Sequence, residues 1–347
     1  MKHLLYILIS LPILLFTSCD VHEWPDAPAT EKLHLKLNYE THITNWVHLY
    51  DGDKVIEQGL GSSYDNSLDY GTMRYIIRAY PMKNARYTSQ YYTHEFVLTK
   101  SISEGYNHEM TLDLTPGNYT LMVWSDIMRG SNEYYYDPAN FSEITLQGEY
   151  VGNSDCRDAF RGTNSIEIVS DIIDEVPDTI SVTMQRPLAK YSIISTDLKE
   201  FIDKELEYWT RIATTRGELS PTRINTDEYN VFVYFSGYMP SAYNMNSDKP
   251  VDAKMGVTYR SKLDVQNEHE AQLGYDYVFV NGSNSAVTVQ IKLCDKDDRQ
   301  LALTAPIDIP LKRNHHTILK GSFLMEQASG GIKIDPSFDG NHNIVIE

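Results

Sequence analysis

The chain has 347 residues, 41% of them hydrophobic, and a formal net charge of −18 at pH 7. That charge argues against a nucleic-acid partner, whose phosphates need Lys and Arg to neutralise them. The hydrophobic share is enough for real cores, and the length suggests two domains beyond a leader.

Residues 1–18 read as a lipoprotein signal peptide. Lys2 supplies a positive start, Leu4 to Phe16 an apolar run, and Thr17-Ser18-Cys19 a small-residue ending before a cysteine. The run falls short of the roughly 20 apolar residues a spanning helix needs, and the three-part layout is that of an export signal. Cys19 is therefore expected to be acylated and to become the mature N-terminus, tethering the protein outside the cytoplasm by lipid. Each buried methylene of such an anchor adds about 0.8 kcal/mol, and two or more chains hold stably. Residues 19–31 carry two prolines and four acidic residues and read as an extended tether.

Ordered structure is expected from residue 32. Leu33, Leu35 and Leu37 alternate with polar residues, which predicts a half-buried strand. Further strands are predicted at 74–80, 95–99, 108–114 and 119–124. Thr115-Pro116-Gly117-Asn118 makes a corner, because Pro presets φ and Gly allows positive φ. Tyr119 follows it, and a tyrosine whose hydroxyl bonds back to such a corner recurs in sandwich domains. Residues 126–165 read as a long loop with short strands embedded. An acidic turn at 171–178 and a strand at 179–184 complete an N-terminal β-sandwich spanning 32–185.

The C-terminal β-sandwich, 186–347, opens with a strand at 189–195. One helix follows, with Asp197 and Glu200 spaced as a capping box. Leu198, Phe201, Ile202, Leu206 and Trp209 share its apolar face, and Gly217 and Pro221 end it. Strands are then predicted at 229–235, 255–259, 275–280, 286–293, 301–309, 317–324, 331–334 and 343–346. Many short strands, turn residues between them and one helix give an all-β fold class: two tandem β-sandwich domains with one short helix in the second.

No catalytic constellation emerges. The nucleophile-elbow and phosphate-loop patterns are missing, and no His-Glu pair has the second histidine of a metalloprotease. His315 and His316 are adjacent, so in a strand they face opposite sides. Asp295 to Asp298 reads as a hairpin turn, and Asp335, Asp339 and Asn341 as another. The expectation is a protein that is not an enzyme and uses no cofactor or metal. Cys156 and Cys294 lie in different halves and are either two isolated thiols or one bridge. Tyrosine, at 25 residues, far exceeds tryptophan at 4. Tyr91, Tyr92, Tyr134, Tyr135 and Tyr136 fall in turn-rich stretches, where exposed rings could stack on sugars or anchor a protein partner.

Several segments carry a family likeness: Arg186-Pro187-Leu188-Ala189-Lys190-Tyr191, Ser195-Thr196-Asp197-Leu198, Arg313-Asn314-His315-His316-Thr317-Ile318 and Gly330-Gly331-Ile332-Lys333-Ile334-Asp335-Pro336-Ser337-Phe338-Asp339-Gly340. With Cys19 and the corner at Tyr119, they make the chain resemble the fimbrillin-like lipoproteins of Bacteroidota, which include pilins and anchor subunits of type V pili. The resemblance implies two transthyretin-like β-sandwiches, export, lipidation and surface display. For polymerising members it implies removal of a first strand and its replacement by a neighbour's strand, a form of β-augmentation. Such processing follows a basic residue. Here no arginine precedes Arg74, and Lys32 and Lys36 are the only basic residues between the signal and Lys54. A pilus anchor or accessory subunit that keeps its first strand is therefore expected. Its partners would be outer-membrane lipid and pilin subunits. The alternative is a glycan-binding surface lipoprotein of a carbohydrate uptake system, using the tyrosines.

Overall fold

The computed structural model describes residues 29–52, 54–84, 87–88, 90–129, 133–169, 179–282 and 285–326. Outside the described residues lie Cys19, most of the tether, the acidic turn at 171–178, the strands expected at 331–334 and 343–346, and Asp335, Asp339 and Asn341. The fold is all-β, with one α-helix among the described residues.

The chain opens with β1 (Glu31–Tyr39), β2 (His42–Tyr50), β3 (Val55–Asp65), β4 (Thr72–Asn84), β5 (Tyr87–Thr88), β6 (His94–Ser101), β7 (His108–Leu114) and the long β8 (Gly117–Arg129). Short β9 (Glu133–Tyr134), β10 (Tyr136–Asp137) and β11 (Ile144–Leu146) follow, then β12 (Ala159–Ile168) and β13 (Thr179–Met184). The second half runs β14 (Leu188–Ser195), α1 (Leu198–Arg216), β15 (Asn230–Phe235), β16 (Met239–Asn244), β17 (Lys249–Lys254), β18 (Thr258–Lys262) and β19 (Asp264–Val265). It closes with β20 (Ala271–Phe279), β21 (Ser285–Cys294), β22 (Gln300–Leu303), β23 (Ile307–Leu311) and β24 (His315–Gly321).

In the first sandwich, sheet β13-β1-β7 faces a sheet ordered β12-β8-β4-β6. β1 pairs in parallel with β13 and antiparallel with β7. Its alternation works as predicted: Leu33, Leu35 and Leu37 enter a core with Tyr75, Ile77, Leu121, Val123 and Val182. The Thr115–Asn118 corner carries the chain from one sheet to the other, since β7 and β8 belong to different sheets. Gly117 has φ +153°, and the Tyr119 hydroxyl donates to the Thr115 carbonyl at 2.9 Å. At Gly162 on β12, an added Cβ would sit 2.5 Å from Val182 Cγ1 and 2.7 Å from Met184 Sδ, both on β13. Gly162→Ala should therefore push the sheets apart and cost about 1–3 kcal/mol, read as a lower urea midpoint.

In the second sandwich, sheet β19-β20-β14-β24-β2-β3 faces sheet β18-β15-β21-β22, with β23 also on β21. Ala189, Tyr191, Ile193, Val231, Val233, Val289, Ile291 and Leu319 fill the space between them. Two of its strands, β2 and β3, come from the first 65 residues. β2 runs parallel to β24, with Thr44 opposite His315 and Tyr50 opposite Gly321. The residue pattern at 42–65 predicts no strand. The reason is physical: two irregularities in the β2–β3 register break the period-2 signal, and β3 is a mostly exposed edge. β12 and β16 also went unread, within stretches rich in Gly, Asn and Ser.

The helix α1 begins after Asp197 and ends at Gly217, which is left-handed at φ +68°. The side chain of Asp197 does not cap it. Its carboxylate instead accepts from Ser195 Oγ at 2.5 Å and Met325 N at 3.0 Å. Leu198 and Phe201 are buried as predicted, and so is Glu205, which accepts from Arg299 at 2.8 Å and from the Tyr229 hydroxyl at 3.2 Å. Asp295 organises the β21–β22 turn, accepting from Asp297 N at 3.0 Å and Arg299 N at 2.9 Å. Cys156 and Cys294 are both free thiols.

A third apolar cluster joins the two sandwiches. It contains Ile76, Met122 and Trp124 from the back of the first sandwich, Tyr135, Tyr136, Phe141 and Ile144 from the segment after β8, and Tyr243, Tyr277 and Phe279 from the second half. A small sheet, β10-β11-β16-β17, is built from both halves.

Candidate interaction surfaces and the buried junction

Beside that apolar cluster lies a polar one, centred on the turn Ser154–Asp158. Arg157 Nε is 2.7 Å from Asp276, and both side chains are almost fully buried. The Tyr150 hydroxyl also donates to Asp276. Arg186 places Nε within 2.9 and 2.8 Å of the two Asp158 oxygens. Its Nη1 donates to the Glu40 carbonyl at 3.1 Å and to Asn314 Oδ1 at 2.9 Å. Lys190 meets Asp155 at 2.8 Å, and the Tyr277 hydroxyl donates to the same carboxylate at 2.7 Å. Burial pushes Asp158 and Asp276 above the ordinary carboxylate value, opposed by the guanidiniums of Arg186 and Arg157. Buried charges survive only when paired and hydrogen-bonded. These bonds therefore fix how the β1–β2 link, the 154–158 turn, β14, β20 and the β23–β24 link meet.

His316 extends this region. Its Nε2 hydrogen-bonds with Ser192 Oγ at 2.7 Å and its Nδ1 with the Tyr64 hydroxyl at 2.9 Å. Burial lowers its pKa from 6.5 to about 3, with Lys190 adding to the shift and Asp155 opposing it. Between those two values the unfolded chain takes up a proton that the native chain refuses, so stability falls as pH falls. One such group costs up to about 1.4 kcal/mol per pH unit. His316→Gln is expected to lose less stability than the unaltered protein between about pH 6.5 and 4 in urea melts. Parallel pH slopes for the two proteins would contradict this.

The tyrosines divide. Tyr91 is 79% exposed and Tyr92 42% exposed. Arg78, itself paired with Glu95 at 2.7 Å, lies 4.7 Å from the Tyr92 ring centre, and Tyr80 meets Tyr92 edge-on at 5.9 Å. Tyr134 is half-buried, with the Arg74 guanidinium 3.6 Å from its ring centre. Tyr135 and Tyr136 correct the expectation of an exposed cluster: they are 5% and 1% exposed. The Tyr136 hydroxyl donates to the Arg157 carbonyl at 2.6 Å, and its ring packs on Trp124. These two rings join the sandwiches and have no face for a ligand.

The first strand occupies the middle of its sheet. Leu33, Leu35 and Leu37 are 4%, 1% and 0% exposed. Lys36, one of the two early basic residues, pairs with Glu109 on the neighbouring strand at 3.0 Å. A strand donated by another subunit would have to displace β1 from two partners at once.

Residues 28–347 match a family of unknown function, DUF6562. No curated protein matches the chain. Solved structures similar to it include three fimbrial proteins of Bacteroidota. The fimbrial anchor protein Mfa2 from Porphyromonas gingivalis is 10% identical, with a TM-score of 0.36 over 80% of this chain and 82% of that one. A fimbrial assembly protein from Parabacteroides distasonis is 9% identical, with a TM-score of 0.39 over 85% and 92%. The tip fimbrial protein Mfa3 from Porphyromonas gingivalis is 10% identical, with a TM-score of 0.34 over 81% of each.

Proposed function

Since the chain belongs to DUF6562, a family of unknown function, we propose its role from its own architecture and from the fimbrillin-like character of its sequence. It is a non-enzymatic lipoprotein, held on the outer membrane at the cell surface through an acylated Cys19. It serves there as a fixed anchor or accessory subunit in adhesion or pilus assembly. One observation carries this reading: β1 is the paired, buried centre of its sheet, and no arginine precedes Arg74. A subunit that keeps its first strand has no vacant slot there for a neighbour's strand. Pilin partners would instead add at sheet edges such as β3 and β6.

The test is mass spectrometry of the protein purified from outer membranes. The expected product starts at an acylated Cys19 and retains the peptide 31–39. A lipid-free product starting at Leu33 or Leu37 would overturn the anchor reading. Cys19→Ala is expected to move the protein from the membrane fraction to the soluble fraction, checked by fractionation and immunoblot.

A second reading, a glycan-binding component of a carbohydrate uptake system, is favoured by Tyr91 and Tyr92. The two residues are consecutive and both exposed, and the Arg78 guanidinium lies 4.7 Å from the Tyr92 ring centre. Aromatic faces so placed suit sugar rings. Loss of glycan-array binding on Tyr91→Ala with Tyr92→Ala would support it, and a blank array with the unaltered protein would remove it.

A further inference from the structure

Cations gather on one face of this acidic chain. Strand register lines up Arg260 on β18, Phe232 on β15 and Lys292 on β21 in a single row across the second sandwich. The Arg260 guanidinium carbon lies 5.8 Å from the Phe232 ring centre, and Lys292 Nζ lies 5.9 Å from it. Tyr234 stacks alongside Phe232, with centres 6.4 Å apart and planes 25° apart. Lys262, two residues along β18, donates to the Asp227 carbonyl and to Asn230 Oδ1, both at 2.8 Å. Lys199, Lys296, Arg299 and Lys320 are each paired with a carboxylate. Arg260, Lys262 and Lys292 have no such partner among the described residues.

Two of these cations also wall a cleft. At the open edge where β18 stands beside β19 and β20, Arg260 and Lys262 face a space of about 440 Å³. Asn153, Gln272, Tyr275, Asp264 and Ser261 complete its lining. Asn153 Oδ1 accepts from Tyr275 N at 2.8 Å, which commits its oxygen and leaves its NH₂ as donor. Lys190 Nζ lies 5.1 Å from the Tyr275 ring centre and holds the ring from within the fold. The Asp264 carboxylate accepts from Gln266 at 2.9 Å. The size falls within the range of small-ligand sites, which run from roughly 300 to 1,000 Å³.

We propose that this cleft, with the Phe232–Tyr234 platform beside it, binds an acidic oligosaccharide. Each part of the ligand has a counterpart. The amides of Asn153 and Gln272 suit hydroxyl groups, the Tyr275 ring suits the apolar face of a sugar, and the Arg260 fork suits a carboxylate or sulfate. Three cations on a chain of charge −18 are too few for a nucleic acid. The site stands apart from Tyr91 and Tyr92 in sequence and does not depend on the anchor reading.

Calorimetric titration of the full-length protein tests it. The probes are an oligogalacturonate, a sulfated chondroitin oligosaccharide, a neutral maltooligosaccharide and a Glu-rich peptide. At least one acidic oligosaccharide is expected to bind, more weakly at high salt. Arg260→Glu and Gln272→Ala should each weaken that binding by about tenfold or more. Lys199→Glu, on the exposed side of α1, should leave it unchanged. Binding of neither acidic oligosaccharide overturns the proposal. So does equal binding of the neutral sugar, which would mean no charge selection. Binding of the Glu-rich peptide with the same dependence on Arg260 would make the face a protein contact. Acidic-glycan binding indifferent to Arg260→Glu would place the site elsewhere.

Discussion

Arg186→Ala is expected to lower folding stability by about 3–5 kcal/mol, the cost of breaking a buried ion pair from one side. Arg186 and Asp158 have side chains 1% and 2% exposed. Truncating Arg186 leaves the Asp158 carboxylate with the Ala159 amide, at 3.0 Å, and a long bond from Asn66, at 3.3 Å. It also removes the donor shared by the Glu40 carbonyl and Asn314, which join the β1–β2 link to the β23–β24 link. Lysine would not restore the site, because one ammonium cannot reproduce a planar fork that serves a carboxylate and a backbone carbonyl together. Urea unfolding at neutral pH measures the loss. The double change Arg186→Met with Asp158→Leu is expected to cost less than Arg186→Ala, since it leaves no unpaired charge. A single-variant loss under about 1 kcal/mol would mean that water reaches the site and solvates Asp158.

Trp124→Ala should cost about as much, roughly 3–5 kcal/mol, and should change the shape of unfolding as well as its midpoint. Trp124 is fully buried on β8, packed 5.5 Å from Tyr136 and 6.5 Å from Tyr243. It belongs to the cluster between the sandwiches and to neither internal core. Its neighbour Val123 points the other way, into the first core. Loss of Trp124 should therefore loosen the joint and leave both cores intact, so that one calorimetric transition becomes two. Val123→Ala should lower a single transition without splitting it. If both variants melt in one step, the joint does not depend on that ring.

What the sequence made legible follows from which signals are local. Leu33, Leu35 and Leu37 announce β1 because alternation is written in neighbouring residues. The corner at Tyr119 is legible because Pro116 and Gly117 act on their own φ angles. Asp197 stands at the helix start as its spacing predicts, but its side chain does not cap the helix. Nothing in neighbouring residues shows that Met325, far along the chain, will share its carboxylate with Ser195. The same holds for Tyr135 and Tyr136, which look like loop tyrosines until Trp124 and Arg157 are brought alongside. The buried charges leave the faintest trace in the sequence. Asp155, Arg157 and Asp158 in a glycine-containing stretch resemble a solvated loop, and their partners lie at positions 186, 190 and 276. The hairpin β2–β3 was hidden for a different reason, because register shifts blur its alternation and one of its strands faces water. Of the surfaces, Arg260, Phe232 and Lys292 are far apart in sequence, and only register brings them into a row.

The parallel pairing of β1 with β13 and of β2 with β24 has a consequence for the order of events during folding. Residue 34 waits for residue 179, and residue 44 waits for residue 315. Contacts of such long range close slowly, because the loop entropy is lost before the contact rewards it. β24 sits between β14 and β2 in the six-stranded sheet, so until it arrives neither of them has that neighbour. A nascent chain stopped before residue 315 should therefore carry an incomplete second sandwich with apolar strand edges exposed, the state most exposed to aggregation and proteolysis. The six-stranded sheet cannot close before β24 is in place. That postpones closure of its core, and of the contact Arg186 makes with Asn314, until the segment from residue 314 onward is available.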